Sequence, residues 1–123
     1  MRTAAVGVVA ASAIALGCGG GGPSKRAPTE RDAAVIAASV ADVVYQCQSA
    51  AAGFIAGPDR EALSRDVDRL VDVAGRVQAD AKFRVSARAS GPTTLREQVA
   101  VAERSLRADC SPQQAERLEG AVD

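Results

Sequence analysis

Residues 59–81 read DREALSRDVDRLVDVAGRVQADA, and within them Leu63, Val67, Leu70, Ala74, Val77 and Ala81 recur at steps of 4, 3, 4, 3 and 4. Apolar side chains at that spacing fall on one face of a helix, and a sustained heptad rhythm predicts a left-handed packing seam against other helices. Pro58 suits the first helical turn, where a missing N–H costs nothing, and Asp59 and Glu61 favour the positive end of the dipole. The pattern predicts a helix from Pro58 to as far as Ala89, before Ser90-Gly91-Pro92. Phe83 falls out of phase with the stripe and has no assigned place.

Two further arms flank this one. Upstream, Thr29-Glu30-Arg31-Asp32 after Pro28 reads as a capping box with Asp at the third position. Ile36, Val40, Val43, Cys47, Ala51 and Phe54 then draw one apolar stripe, with Ser39, Asp42, Gln46 and Ser49 expected on another face. Gly57-Pro58 is expected to end that helix. Downstream, Thr94-Leu95-Arg96-Glu97 is a full capping box, followed by a stripe of Leu95, Val99, Ala102, Leu106 and Cys110. Ser111-Pro112 interrupts it, with Ser111 a new N-cap, and Ala115, Leu118 and Val122 give a short fourth helix its apolar side. No stretch shows the period-2 alternation of a strand. Short connections make neighbouring helices antiparallel. The expected fold is all-α: a small up-down-up three-helix bundle whose third arm is kinked and carries the short fourth helix.

Cys47 and Cys110 test that arrangement. In an up-down-up bundle the first and third arms run parallel. Cys47 lies about 27 Å above the start of its helix and Cys110 about 24 Å above the start of its own, at 1.5 Å per residue. Matching heights make a disulfide reasonable, since bridged Cα atoms must approach within about 7 Å. The alternative is two buried thiols. No C-x-x-C redox motif is present.

The first residues differ from the rest. Met1-Arg2 gives a positive start, and Thr3 to Gly17 carries no charge. At about 22 Å as a helix this stretch falls short of the ~30 Å hydrocarbon core, which fits a secretory signal better than a membrane span. It ends Ala15-Leu16-Gly17-Cys18, followed by Gly19-Gly20-Gly21-Gly22-Pro23. This resembles the lipobox of bacterial lipoproteins, with Ala15 at the position more often held by Leu. The resemblance covers about twenty residues. It implies cleavage between Gly17 and Cys18, lipidation of Cys18 with palmitate-like acyl chains, and a membrane partner reached through that lipid. Cleavage after Ala13, giving a soluble secreted protein, stays open. By the same resemblance, Gly19 in place of Asp argues against retention on an inner membrane. The division that follows is 1–17 signal, 18–28 lipidated Cys and flexible Gly-rich tether, and 29–123 helical domain. An exported compartment permits the Cys47–Cys110 bond.

Composition narrows the function classes. The 123 residues hold 15 basic and 15 acidic side chains, no His and no Trp. Balanced charge argues against nucleic-acid binding, which needs a basic excess. Without His, the most frequent general base and metal ligand is missing, and no Ser or Lys sits in a catalytic motif. Asp66-Val67-Asp68 resembles the opening of a Ca²⁺ loop, but Val71 stands where Gly is needed and Val77 where Glu is needed. The carboxylates of residues 59–80 read instead as a solvated face, with Glu61–Arg65, Asp72–Arg76 and Asp80–Arg84 spaced as i,i+4 pairs. Tyr45 should point away from the apolar stripe, either as a lone exposed aromatic or as a contact point for a partner. No metal or cofactor is expected. The expected role is a lipid-anchored, non-catalytic interaction module on the extracytoplasmic side of the membrane, meeting an envelope protein or wall component. The competing role is a carrier holding a small apolar ligand between Ala- and Val-rich helices.

Overall fold

The computed structural model describes residues 24–86 and 91–122. The expected signal (1–17), Cys18 and the Gly run lie outside the described residues. The described chain is helical: α1 is Glu30–Ala51, α2 Arg60–Ala74, α3 Leu95–Asp109 and α4 Pro112–Val122.

The capping residues act where the sequence places them. The Asp32 N–H donates to Thr29 Oγ1 at 3.2 Å, and the Thr29 N–H returns to Asp32 Oδ2 at 2.9 Å. Thr94 and Glu97 repeat the box at α3, with bonds of 3.1 and 3.0 Å. The Gln114 N–H donates to Ser111 Oγ at 3.4 Å and opens α4. Each box satisfies N–H groups that a helix start otherwise leaves without a partner. Asp59 caps α2 by accepting from the Ala62 N–H at 3.1 Å, which leaves Pro58 just outside the helix rather than in its first turn.

Two helices stop earlier than the apolar spacing predicts. α1 ends at Ala51, six residues before Gly57, because Gly53 takes φ +81°. The Gly53 N–H donates to the Ala50 carbonyl at 3.1 Å and the Phe54 N–H to the Ser49 carbonyl at 2.8 Å. These are the two reversed bonds of a Schellman motif. Phe54 is thereby thrown off the stripe and stands 83% exposed. A Cβ at position 53 meets open space, so the cost of Gly53→Ala is conformational alone. That variant should lose about 1 kcal/mol in urea unfolding. An unchanged midpoint would show that the αL turn is not needed.

α2 ends at Ala74 rather than running on past Ala81. The Gln78 N–H donates to the Arg26 carbonyl at 2.8 Å instead of to the preceding helical turn. The Arg26 N–H donates to the Arg76 carbonyl at 3.2 Å. The end of the expected tether is thus laid beside the α2 terminus, and Gln78 Nε2 also holds the Lys25 carbonyl at 3.2 Å. Val77 is nevertheless fully buried, so the heptad spacing persists through a segment that is no longer helical. Beyond it, Phe83 and Thr93 exchange N–H···O bonds of 2.8 and 2.7 Å, closing the α2–α3 connection. Phe83 is out of helical phase because it lies outside a helix, and it packs against the core.

α1 and α3 run parallel with α2 antiparallel to both, as expected. Arg76 reaches Asp32 at the start of α1 at 3.7 Å, and the Arg96 N–H at the start of α3 donates to the Ala79 carbonyl at 3.0 Å. The break at Cys110–Ser111 is a fold-back. Arg107 meets Glu119 at 2.9 Å, although the two would lie about 18 Å apart along a straight helix. α4 therefore packs on α3 and on α2, where Arg117 binds Asp68 at 2.6 Å. The core collects Ile36 and Val43 from α1, Val67 and Leu70 from α2, Leu95 and Leu106 from α3, and Leu118 from α4, all fully buried.

Candidate functional site

Cys47 and Cys110 form a disulfide, with Cα atoms 5.3 Å apart and a sequence separation of 63. The equal-height argument holds because both parallel helices start at the same end of the bundle. Cys47 is fully buried on α1, and Cys110 is the half-buried C-cap of α3. The bond ties together the end of the bundle that carries the α1–α2 loop.

That end also carries the exposed aromatic surface. Tyr45 is 64% exposed, as its position opposite Ile36 anticipates, and Phe54 joins it. Two of the three aromatic residues in the chain therefore face solvent at one end, while Phe83 alone is in the core. Exposure of Phe54 at this level is the signal that the stripe reading missed. Gly53 directly before it was the residue that could have revealed the early helix end. The loop residue Asp59 is steadied from α1, its N–H donating to Gln46 Oε1 at 3.0 Å.

The opposite end receives the N-terminal segment. Asp32, 4% exposed, binds Arg26 at 2.5 Å, and Arg76 approaches it from α2. The Arg26 hydrogen bond holds the Asp32 carboxyl far below the usual carboxylate range, with the Thr29 N–H and hydroxyl adding to it against the cost of burial. One carboxylate thus serves as helix cap and as a fastening for the incoming chain. The 22 residues of α1 separate this end from the aromatic end by about 33 Å.

The acidic face of α2 is partly as expected. Asp72 pairs with Arg76 at i,i+4. Asp80, beyond the helix end, binds Arg96 of α3 at 2.8 Å, which lowers its carboxyl below the usual range. Asp66 departs from the expectation of a solvated face, being only 4% exposed. It lies three residues after Leu63 and four before Leu70, so it belongs to the apolar stripe. Ser39, three residues after Ile36 and four before Val43, is buried for the same reason. Burial is the main cause that pushes the Asp66 carboxyl up to about 7, and Asp42 of α1 beside it adds to the shift.

Among the described residues, no group of three or more His, Cys, Asp or Glu is placed to hold a metal ion, and no helix is long and apolar enough to cross a membrane. A surface cleft of about 310 Å³ lies between the start of α1 and the α2–α3 connection, lined by Glu30, Ala33, Arg84, Val85 and Ser86. It combines apolar surface from Ala33 and Val85 with the polar groups of Glu30, Arg84 and Ser86. No protein-family model matches the chain, and no curated protein or solved structure is significantly similar to it.

Proposed function

We propose that this chain is an exported bacterial lipoprotein, anchored through Cys18, whose helical domain is a non-catalytic interaction module of the cell envelope. The observation that carries the reading is the use of the three cysteines. Two are bonded to each other across the bundle, and the third follows an apolar stretch and precedes a Gly run. A disulfide suits an oxidising exported compartment. The cleft opens on the surface beside the start of α1 rather than between the helices, which favours surface interaction over carriage of an apolar ligand in the bundle interior.

The domain's polarity supports a role for the aromatic end. The chain enters beside Asp32, so a lipid on Cys18 would hold that end near the membrane. Six residues from Cys18 to Ser24 span at most about 21 Å. Tyr45 stands about 20 Å further along α1, Phe54 lies just beyond the far end of that helix, which is about 33 Å long, and both would be offered to a partner in the envelope. Aromatic side chains at exposed positions are favoured contact anchors.

Intact mass of the protein extracted from membranes tests the anchor. The expected mass is that of a chain starting at Cys18, with acyl groups added, and Cys18→Ser should abolish both cleavage there and membrane retention. A chain starting after Ala13 without lipid would overturn it in favour of a secreted form. A photo-reactive residue in place of Phe54 tests the interaction role in intact cells. It should give a discrete cross-linked product that the same label in place of Arg31 does not give. Labelling at position 54 that returns only the monomer would overturn the interaction role.

A further inference from the structure

Asp66 is a carboxyl group without a donor for one of its oxygens. Its Oδ1 accepts from Arg69 at 3.2 Å, but Oδ2 is buried and has no hydrogen-bond partner. The group nearest in kind is another carboxyl: Asp42, half-buried on α1, lies within hydrogen-bonding reach across the α1–α2 seam. Two ionised carboxylates offer acceptors only, and a buried acceptor without a donor costs as much as a lost hydrogen bond. One proton removes both faults. It supplies the missing donor and cancels one of two like charges held close together, the arrangement in which one carboxyl is strongly driven toward its neutral form.

We propose that Asp42 and Asp66 share one proton across the α1–α2 interface, making the packing of these helices a proton-dependent latch. The opposing charges are accounted for. Arg65 and Arg69 on the same helix favour the ionised form, and Arg69 is 55% exposed with its charge largely in water. On the other side of α2, the α4 cation that reaches this helix is Arg117, and it is occupied by Asp68. The residual preference is for the shared proton.

The direction of the pH effect follows. In the unfolded chain Asp66 titrates near the ordinary Asp value of about 4. In the fold it keeps its proton to about 7. Between these values the native state binds more protons than the unfolded state, so stability is full at the acid side and falls as pH rises through this window. Asp32 and Asp80 act in the other sense. Their contribution is present above pH 4 and is lost as pH falls below it. The domain should be most stable in mild acid. The absence of His means that no other side chain with an ordinary pKa titrates between pH 5 and 8. Asp42 lies one helical turn before Tyr45, so the latch sits at the base of the exposed aromatic end.

Urea unfolding of the protein with its disulfide intact and no histidine tag, measured from pH 5 to 8, tests the latch. The unfolding equilibrium constant should rise by up to tenfold per pH unit as pH approaches 7. Asp66→Asn should flatten this dependence and be the more stable protein at pH 8. A flat profile in the unsubstituted protein, or an unaltered slope in a folded Asp66→Asn variant, would overturn the proposal. If Asp66→Asn fails to fold, difference infrared spectroscopy of the unsubstituted protein decides. A protonated carboxyl band present at pH 6 and gone by pH 8 supports the latch, and its absence at pH 6 refutes it. Asp42→Asn, which gives Asp66 an amide donor, should move that band's loss to lower pH.

Discussion

Removing the Cys47–Cys110 bond is expected to lower the stability of the domain by about 4 kcal/mol. The bond closes a loop of 63 residues, which takes in the whole of α2 and of α3. Its constraint on the unfolded chain is therefore large on the chain-entropy model. In a domain near 100 residues such a loss moves the melting temperature by on the order of 20 °C. The core has little to compensate. Ala33, Ala74, Ala102 and Ala115 are four of its members, and an Ala contributes far less apolar area than a Leu. The measurement is thermal and urea unfolding of the double variant Cys47→Ala, Cys110→Ala against the oxidised parent. Because Cys47 is fully buried, a small part of any loss is packing rather than cross-link. Reduction of the parent protein separates the two. A double variant within 1 kcal/mol of the parent would mean that helix packing alone holds the bundle, and that the bond serves some purpose other than stability.

Leu70→Ala should cost about 3 kcal/mol. Leu70 is fully buried at the centre of α2, the helix that α1 and α4 both pack against. Truncation removes three carbon atoms from the helix held between α1 and α4, which cannot both close in on the gap. Large-to-small substitutions cost most where the surroundings relax least. Leu118→Ala is the informative comparison. Leu118 is also fully buried, but it fastens a terminal helix of 11 residues. If α4 unfolds locally in that variant, the global loss is smaller than for Leu70→Ala and amide exchange rises in α4 alone. Equal losses, with exchange raised throughout, would show that α4 is part of the same cooperative unit.

Much of this architecture is written in local pattern. The two complete capping boxes, Thr29–Asp32 and Thr94–Glu97, needed only neighbouring residues to form, and both form. The apolar stripes of α1 and α3 and the parallel placement of their cysteines followed from helical rise and period. Tyr45 was visible as an outward residue for the same reason. What the stripes could not tell was where a helix stops. Val77 keeps the heptad spacing and is buried, and its N–H still donates to the Val73 carbonyl at 3.0 Å, yet the next residue, Gln78, turns to the Arg26 carbonyl and the helix is over. A buried apolar position satisfies the same pattern in either conformation. The choice was made by the Gln78 N–H, which found the distant Arg26 carbonyl, and such a pairing leaves no trace in periodicity.

The candidate sites divide along the same line. The proposed lipidation of Cys18 and the proposed export address rest on the sequence of the first residues, which lie outside the described structure. The Asp32 fastening of the incoming chain, the exposure of Phe54 and the fold-back of α4 required the helices to be brought together. Asp42 and Asp66 are separated by 24 positions and look like two ordinary members of polar faces. They meet only because α1 and α2 pack against each other. Sequence alone determined where the helices begin, their order, the matching heights of Cys47 and Cys110 and the absence of a histidine. Tertiary packing decided which carboxylates lose water, because burial depends on what the neighbouring helix covers and on nothing within the segment itself.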